Sequence, residues 1–265
     1  MHPIERLRWI ARATSEPALT IASEAAWTLG ELGADEPAAV VTASRRLVER
    51  HPTCGPLWWA CAHLVASDDP LETARRVTAE LYADTVPDRV AEALRDNFTR
   101  SDPLCATVPA DVLRDALSRR GSYELRVIAP YSALRHELRG LGGVVEDVTG
   151  FEIEDVDEAL EGAAVLLVEP DLASAAGLLV EPGVGLVIER AVHQGVPVWA
   201  LLGTGRVIST QLAEAAAEWA DEDLELVPSG QIALAVDDSG PGALLAALVR
   251  TSCPPGAELL HRIGR

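Results

Sequence analysis

The sequence predicts an α/β protein: a helical N-terminal domain over residues 1–98, a linker over 99–108, and a parallel-sheet domain over 109–265. Three observations lead there. Through the first domain, apolar residues recur at helical spacing and proline-containing start signals punctuate them. Past the linker, apolar residues gather into short unbroken runs, as strands covered on both faces require. Helical patterns separate most of those runs, and strands alternating with helices imply right-handed crossovers and a parallel, doubly wound sheet.

Residues 4–13 open the chain as a helix with Ile4, Leu7, Ile10 and Ala11 on one face. Ser15-Glu16-Pro17 starts a second, Ser15 as cap and Pro17 in the first turn, where its missing N–H costs nothing. Asp35-Glu36-Pro37 repeats the signal for a third, which ends at the loop His51-Pro52-Thr53-Cys54-Gly55-Pro56. Residues 57–66 form a fourth helix. Asp68-Asp69-Pro70 opens a fifth that runs to Phe98 with a break at Val86-Pro87. Asp102-Pro103 marks the linker, and 108–120 is helical again. Strands are expected at 125–129, 144–148, 163–168, 196–202 and 232–236, with helices at 133–141, 156–161, 184–193, 209–220 and 241–249.

Composition narrows the function. Of 265 residues, 48% are hydrophobic, enough for a packed core. The net charge of −19, from 41 acidic and 22 basic residues, repels phosphate backbones and anionic lipid, so neither nucleic acid nor membrane is an expected partner. Arg45-Arg46, Arg75-Arg76 and Arg119-Arg120 are isolated pairs on helices and read as solvated faces. The chain contains no lysine, so every side-chain cation other than histidine is an arginine. Cys54, Cys61, Cys105 and Cys253 show neither CxxC spacing nor a paired framework, which suits a reducing compartment. The first residues lack the apolar core of a signal peptide, and no run reaches the ~20 apolar residues of a membrane span; a cytoplasmic location is expected. The histidines form no HxH or HxxxH pair, so no metal site is expected, and no cofactor.

In such a sheet, ligands sit beyond the carboxyl ends of the strands. Three loops qualify: Pro130-Tyr131-Ser132, Glu169-Pro170-Asp171 and Gly203-Thr204-Gly205-Arg206. In the last, two glycines let backbone N–H groups approach an anion, Arg206 can fork onto phosphate oxygens, and Ser209 can cap the next helix. It is neither a P-loop nor a GxGxxG fingerprint, and a plain tight turn also accounts for it. Asp171 is a candidate acid, base or hydroxyl ligand, or else the cap of the turn at 172–175. Glu169 reads as solvated.

Two stretches together resemble one family. His51-Pro52-Thr53-Cys54-Gly55-Pro56-Leu57-Trp58-Trp59-Ala60 is similar to the "RPT, three residues, LFWA" signature of the methylthioribose-1-phosphate and ribose-1,5-bisphosphate isomerases, a family that includes the α, β and δ subunits of translation initiation factor 2B. Val168-Glu169-Pro170-Asp171 stands where that family has its "GAD" strand end, Leu178-Leu179-Val180 through Val184-Gly185 for its hairpin and "NKIGT" helix start, and Gly195-Val196-Pro197-Val198 for its "GIPFYV" strand. The resemblance implies N-terminal helices, a Rossmann-like C-terminal domain, homodimers, and a pocket for a phosphorylated sugar or nucleotide between the two parts. It places the catalytic aspartate of the isomerases at Asp171. Their cysteine would fall within Ile128-Ala129-Pro130-Tyr131-Ser132, which has none; Tyr131 and Ser132 are closer to the serine-rich version of the initiation-factor subunits. His51 replaces the arginine of "RPT", Pro182-Gly183 replaces the Asn-Lys pair, and the segment between 144 and 163 is short enough for a strand and helix to be missing. Cys54 could stand in for the absent thiol, or be a small buried residue.

Three readings follow. The first is a non-catalytic regulatory protein that binds a phosphorylated sugar or nucleotide through His51, Pro52, Thr53, Tyr131, Ser132, Asp171, Gly185, Gly203, Thr204, Gly205 and Arg206. The second is an aldose 1-phosphate to ketose isomerase with Asp171 as acid/base. The third is a partner-binding scaffold whose pocket has closed.

Overall fold

A computed structural model describes every residue except 1, 14–15, 109–110, 119–122, 131–133, 135–137, 139–140, 142, 144, 146, 221–223 and 263–265. The chain opens with six helices: α1 (Pro3–Ile10), α2 (Ala18–Asp35), α3 (Pro37–Arg50), α4 (Gly55–Val65), α5 (Pro70–Tyr82) and α6 (Val86–Asn97). Prolines stand at the starts of α3, α4, α5 and α6, where no intrahelical N–H is lost, and the Asp69 carboxylate caps α5 by accepting from Glu72 N–H at 3.0 Å. The break predicted at Val86-Pro87 falls slightly earlier: α5 ends before Ala83, and Pro87 lies in the first turn of α6. Pro17 sits just ahead of α2, while the proposed cap Ser15 is outside the described residues.

Helix α4 has buried side chains on all sides, Leu57, Trp58, Trp59, Ala60, Cys61, Ala62 and Leu64, so it can only be the centre of its bundle. Helices α2, α3 and α5 pack against it, and α1 lies on α2 and α3.

The remaining elements are β1 (Leu104–Thr107), α7 (Asp111–Ser118), β2 (Glu124–Ala129), β3 (Asp147–Glu152), α8 (Val156–Leu160), β4 (Val165–Val168), β5 (Leu172–Ser174), β6 (Gly177–Val180), α9 (Val184–His193), β7 (Val198–Leu201), α10 (Thr210–Trp219), β8 (Glu225–Val227), β9 (Leu234–Asp237), β10 (Gly240–Gly242) and α11 (Leu244–Val249). Between β2 and β3, within the predicted helix 133–141, Leu134, Leu138 and Leu141 are helical. The main sheet has the order β10-β9-β7-β4-β1-β2-β3, parallel throughout except for β10. A second sheet, β5-β6-β8, is antiparallel and contains the hairpin that the resemblance implied. The fold class is the one expected.

Strand β4 shows how the layers form. Val165 and Leu167 face a core with Val90 and Leu94 of α6 and Leu113 and Leu117 of α7; Leu166 and Val168 face the opposite core with α8, α9 and α11. The third core joins α1–α5 to α10 and the small sheet through Leu172, Leu179, Ile208, Leu212 and Trp219. Trp58 and Trp219 touch with ring centroids 5.2 Å apart.

Helix α6, inside the predicted helical domain, covers the sheet instead, and the predicted linker contains β1, a central strand. The five residues between Pro103 and Pro109 are too few for a visible period. Strand β3 lies three residues later than its apolar run, because as an edge strand it is only partly covered and need not be apolar throughout; with α8 it occupies the short segment after residue 144. Residues 241–242, expected in a helix, pair in β10, and α11 begins at Leu244.

Candidate functional site

From β1 the sheet grows in one direction through β2 and β3 and in the other through β4, β7 and β9. The order reverses between β1 and β4, and crevices for ligands open beyond the carboxyl ends of strands at such a reversal. Glu169 and Asp171 follow β4, Thr107 ends β1, and the Gly203–Arg206 turn follows β7, the neighbour of β4. The sequence-predicted Asp171 and glycine turn thus share one rim.

That rim is filled by an ion pair. Glu169 is 3% exposed, not solvated as its loop position suggested. One of its carboxylate oxygens accepts from Arg206 Nη2, and the other accepts from the Val112 N–H at 2.8 Å, in the first turn of α7. Arg206, 5% exposed, also donates through Nη1 to the Pro170 carbonyl at 2.5 Å. The guanidinium expected to grip a phosphate is turned inward. It holds the chain's own carboxylate, which sits where the helix start and the cation would hold an anion.

Asp171 is the unsatisfied member. It is 8% exposed, and among the described residues its Oδ2 has no hydrogen-bond partner; the same holds for Thr107 Oγ1. Burial pushes the Asp171 carboxyl up to about 7, Glu181 adds to this, Arg206 opposes it and Glu169 adds a little more. Burial also lifts Glu169 to about 7 against the pull of Arg206 and the Val112 N–H. Glu169 has a donor on each oxygen, whereas Asp171 leaves one oxygen bare. Asp171 caps no turn of its own: Leu172–Ser174 is strand, and its N–H donates to Leu179 O at 3.1 Å.

Two glycines let the bundle reach this rim. A Cβ on Gly55, at the start of α4, would stand 2.6 Å from Asp171 O and 3.3 Å from Arg206 Cα. Gly205 has φ +80°, a conformation that favours glycine, and a Cβ there would lie 2.9 Å from Pro56 Cα. The Thr204 N–H donates to Asp84 Oδ2 at 3.3 Å, while Asp84 Oδ1 accepts from Val86 N–H at 3.0 Å. A crevice of about 320 Å³ remains outside the pair, walled by Leu81, Asp84, Asp111, Arg114, Thr204 and Arg206 among others.

The other predicted residues are dispersed. His51 ends α3, and its Nε2 lies 2.8 Å from Ile10 O; Pro52 O accepts from Trp58 Nε1 at 2.9 Å; Thr53 is exposed. Gly185 lies in the first turn of α9, where Glu225 accepts from Gly183 N–H at 2.9 Å and from Gly185 N–H at 2.7 Å. The N-terminus of α9 is thus also occupied by a carboxylate of the chain. Tyr131 and Ser132 lie outside the described residues. The Cys54 thiol is buried, which pushes its pKa up to about 11, and faces Ala18 O at 3.7 Å; it is a protonated core group, not a stand-in nucleophile. No group of histidine, cysteine, aspartate or glutamate among the described residues is arranged to hold a metal.

Glu169 reads as solvated from the sequence alone, and Thr107, Asp84 and Gly55 are not singled out by it. Only Glu169 carried a signal: a carboxylate directly after the apolar run Val165–Val168 is buried by its neighbours and requires a cation.

No protein-family model matches the chain, and no curated protein matches it in sequence. Solved structures do match in three dimensions. The eIF2B β subunit of Chaetomium thermophilum superposes with a TM-score of 0.68 at 16% identity, over 99% of this chain and 94% of that one. The translation initiation factor eIF-2B of Pyrococcus horikoshii OT3 gives 0.71 at 12% identity, over 93% and 98%. The 5-methylthioribose 1-phosphate isomerase of the same organism gives 0.59 at 16% identity, over 97% and 87%. Across helical bundle and sheet together, this chain has the fold shared by eIF2B subunits and 5-methylthioribose 1-phosphate isomerase.

Proposed function

We propose that this chain is a non-catalytic regulatory protein that acts in the cytoplasm by engaging partners, including a second copy of itself, with its sugar-phosphate crevice closed from within. The observation that carries this reading is the Glu169 carboxylate held between Arg206 and the Val112 N–H at the sheet's reversal point. An incoming phosphate would have to displace it. The glutamate on the first turn of α9 supports the same reading, as does a protonated Cys54 that supplies no thiolate. A fold-mate crystallises as a tetrameric eIF2B-β2-δ2 complex, and assembly of comparable kind fits a chain that works by contact.

A second reading rests on Asp171 and Thr107. Two bare, buried polar atoms at a reversal point suit the hydroxyls of a sugar, and a carboxyl titrating near neutrality suits proton transfer. In this reading the ligand is a phosphorylated sugar or nucleotide, bound as a regulator or isomerised from aldose to ketose.

The deciding experiment incubates the purified protein with 5-methylthioribose 1-phosphate and with ribose 1,5-bisphosphate, and follows ketose by NMR. Our reading predicts no turnover and no ligand-dependent rise in melting temperature. Turnover that vanishes in Asp171→Asn would establish the isomerase; a rise in melting temperature without turnover would establish the ligand-binding regulator.

A further inference from the structure

We infer that the groove between α1 and α3 docks an acidic amphipathic segment of a partner protein. Both helices pack on α2 and leave between them a trough of about 210 Å³, with Leu7, Leu32, Ala43 and Leu47 along its floor. That volume admits the side chains of a docking helix, not its body. Ile4 stands on the lip, 42% exposed.

Charge selects the occupant. The chain carries 41 acidic residues, and two larger crevices, the one beside Arg206 and one lined by Glu80, Asp237 and Asp238, each have at least three of them, yet none lines this groove. Its polar border includes Arg8 and Arg46, both exposed and, among the described residues, neither in an ion pair. Their chain neighbours are engaged: Arg6 pairs with Glu24, and Arg45 donates to Glu258 O. An apolar trough flanked by free guanidinium groups complements a helix that sets apolar residues at i, i+4 and i+7 beside carboxylates. Carboxylates also fit an arginine fork better than any other side chain. A second copy is the poorer occupant, because a two-fold contact places the same patch on both sides and brings arginines toward arginines.

The groove shares no lining residue with either crevice, so its fate is independent of the closed rim. The test titrates the full chain into a fluorescent synthetic helix carrying leucines at i, i+4 and i+7 flanked by glutamates, and into the same helix with lysines as flanks. Anisotropy should report binding of the glutamate helix that weakens with salt, and little binding of the lysine helix. In Arg8→Glu/Arg46→Glu the preference should invert, with the glutamate helix weakened by roughly tenfold or more. Both arginines are exposed, so the double variant should keep the wild-type circular dichroism and melting temperature. Equal binding of the two helices, no binding of the glutamate helix, or an unchanged preference in the double variant overturns the inference. So does light scattering that finds a wild-type dimer made monomeric by the double variant, which would assign the groove to self-association.

Discussion

At Asp171 burial pushes the folded carboxyl from the ordinary carboxylate range up to about 7, so the folded chain holds a proton that the unfolded chain has released across that interval. Stability contributed by this group is therefore complete below the lower value and is lost as pH rises through the upper one. Asp171→Asn keeps the shape and removes the charge. It should raise the melting temperature at about pH 8 by several degrees and change it little at about pH 4. Thermal unfolding followed at both pH values checks this; a variant destabilised equally at both would show that Oδ2 has a partner after all. The contrast with Glu169 explains what could be read beforehand. Asp171 stood at a strand end and was legible as a candidate, but its burial and its bare oxygen depend on Gly55 and α4 closing over it. Arg206 was legible as a cation beside glycines. Its inward turn was not, because that depends on Glu169, 37 positions away.

At the scale of elements, α4 connects bundle to sheet through a glycine. Gly55→Ala would place a methyl 2.6 Å from a backbone oxygen that cannot withdraw, at a cost of about 1–3 kcal/mol. Urea unfolding should show the lower midpoint, while Gly143→Ala, with nothing within 4 Å of its added Cβ, should lose much less. Helices declared themselves in the sequence because proline and aspartate mark their starts and 3.6-residue spacing marks their faces; α9 falls on its predicted bounds. Strands declared themselves only as unbroken apolar runs between helical patterns. β1 was hidden because Thr107 interrupts its run between Pro103 and Pro109, and β5, β6 and β8 belong to a small sheet whose partners are set by tertiary contact. The hairpin was legible only through resemblance.

For the whole molecule, one core contains α1–α5 together with Leu172, Leu179, Leu212 and Trp219, so the bundle has no interior of its own to retain when the sheet is lost. Unfolding should follow a single transition, coincident by tryptophan fluorescence and by far-ultraviolet circular dichroism, with Trp58→Ala lowering both midpoints together as stability falls by about 3–5 kcal/mol. Two separated transitions would mean that the bundle and the sheet are independent domains. No described helix is long and apolar enough to cross a membrane. On the proposed reading, Glu169 occupies the position an anion would take. The most direct measurement compares the melting temperatures of the wild type and Glu169→Ala with and without millimolar ribose 1-phosphate. The wild type should be unmoved, and the destabilised variant should regain stability with the ligand. A wild type stabilised as much as the variant would contradict that reading, because the crevice would then be open and the carboxylate no obstacle.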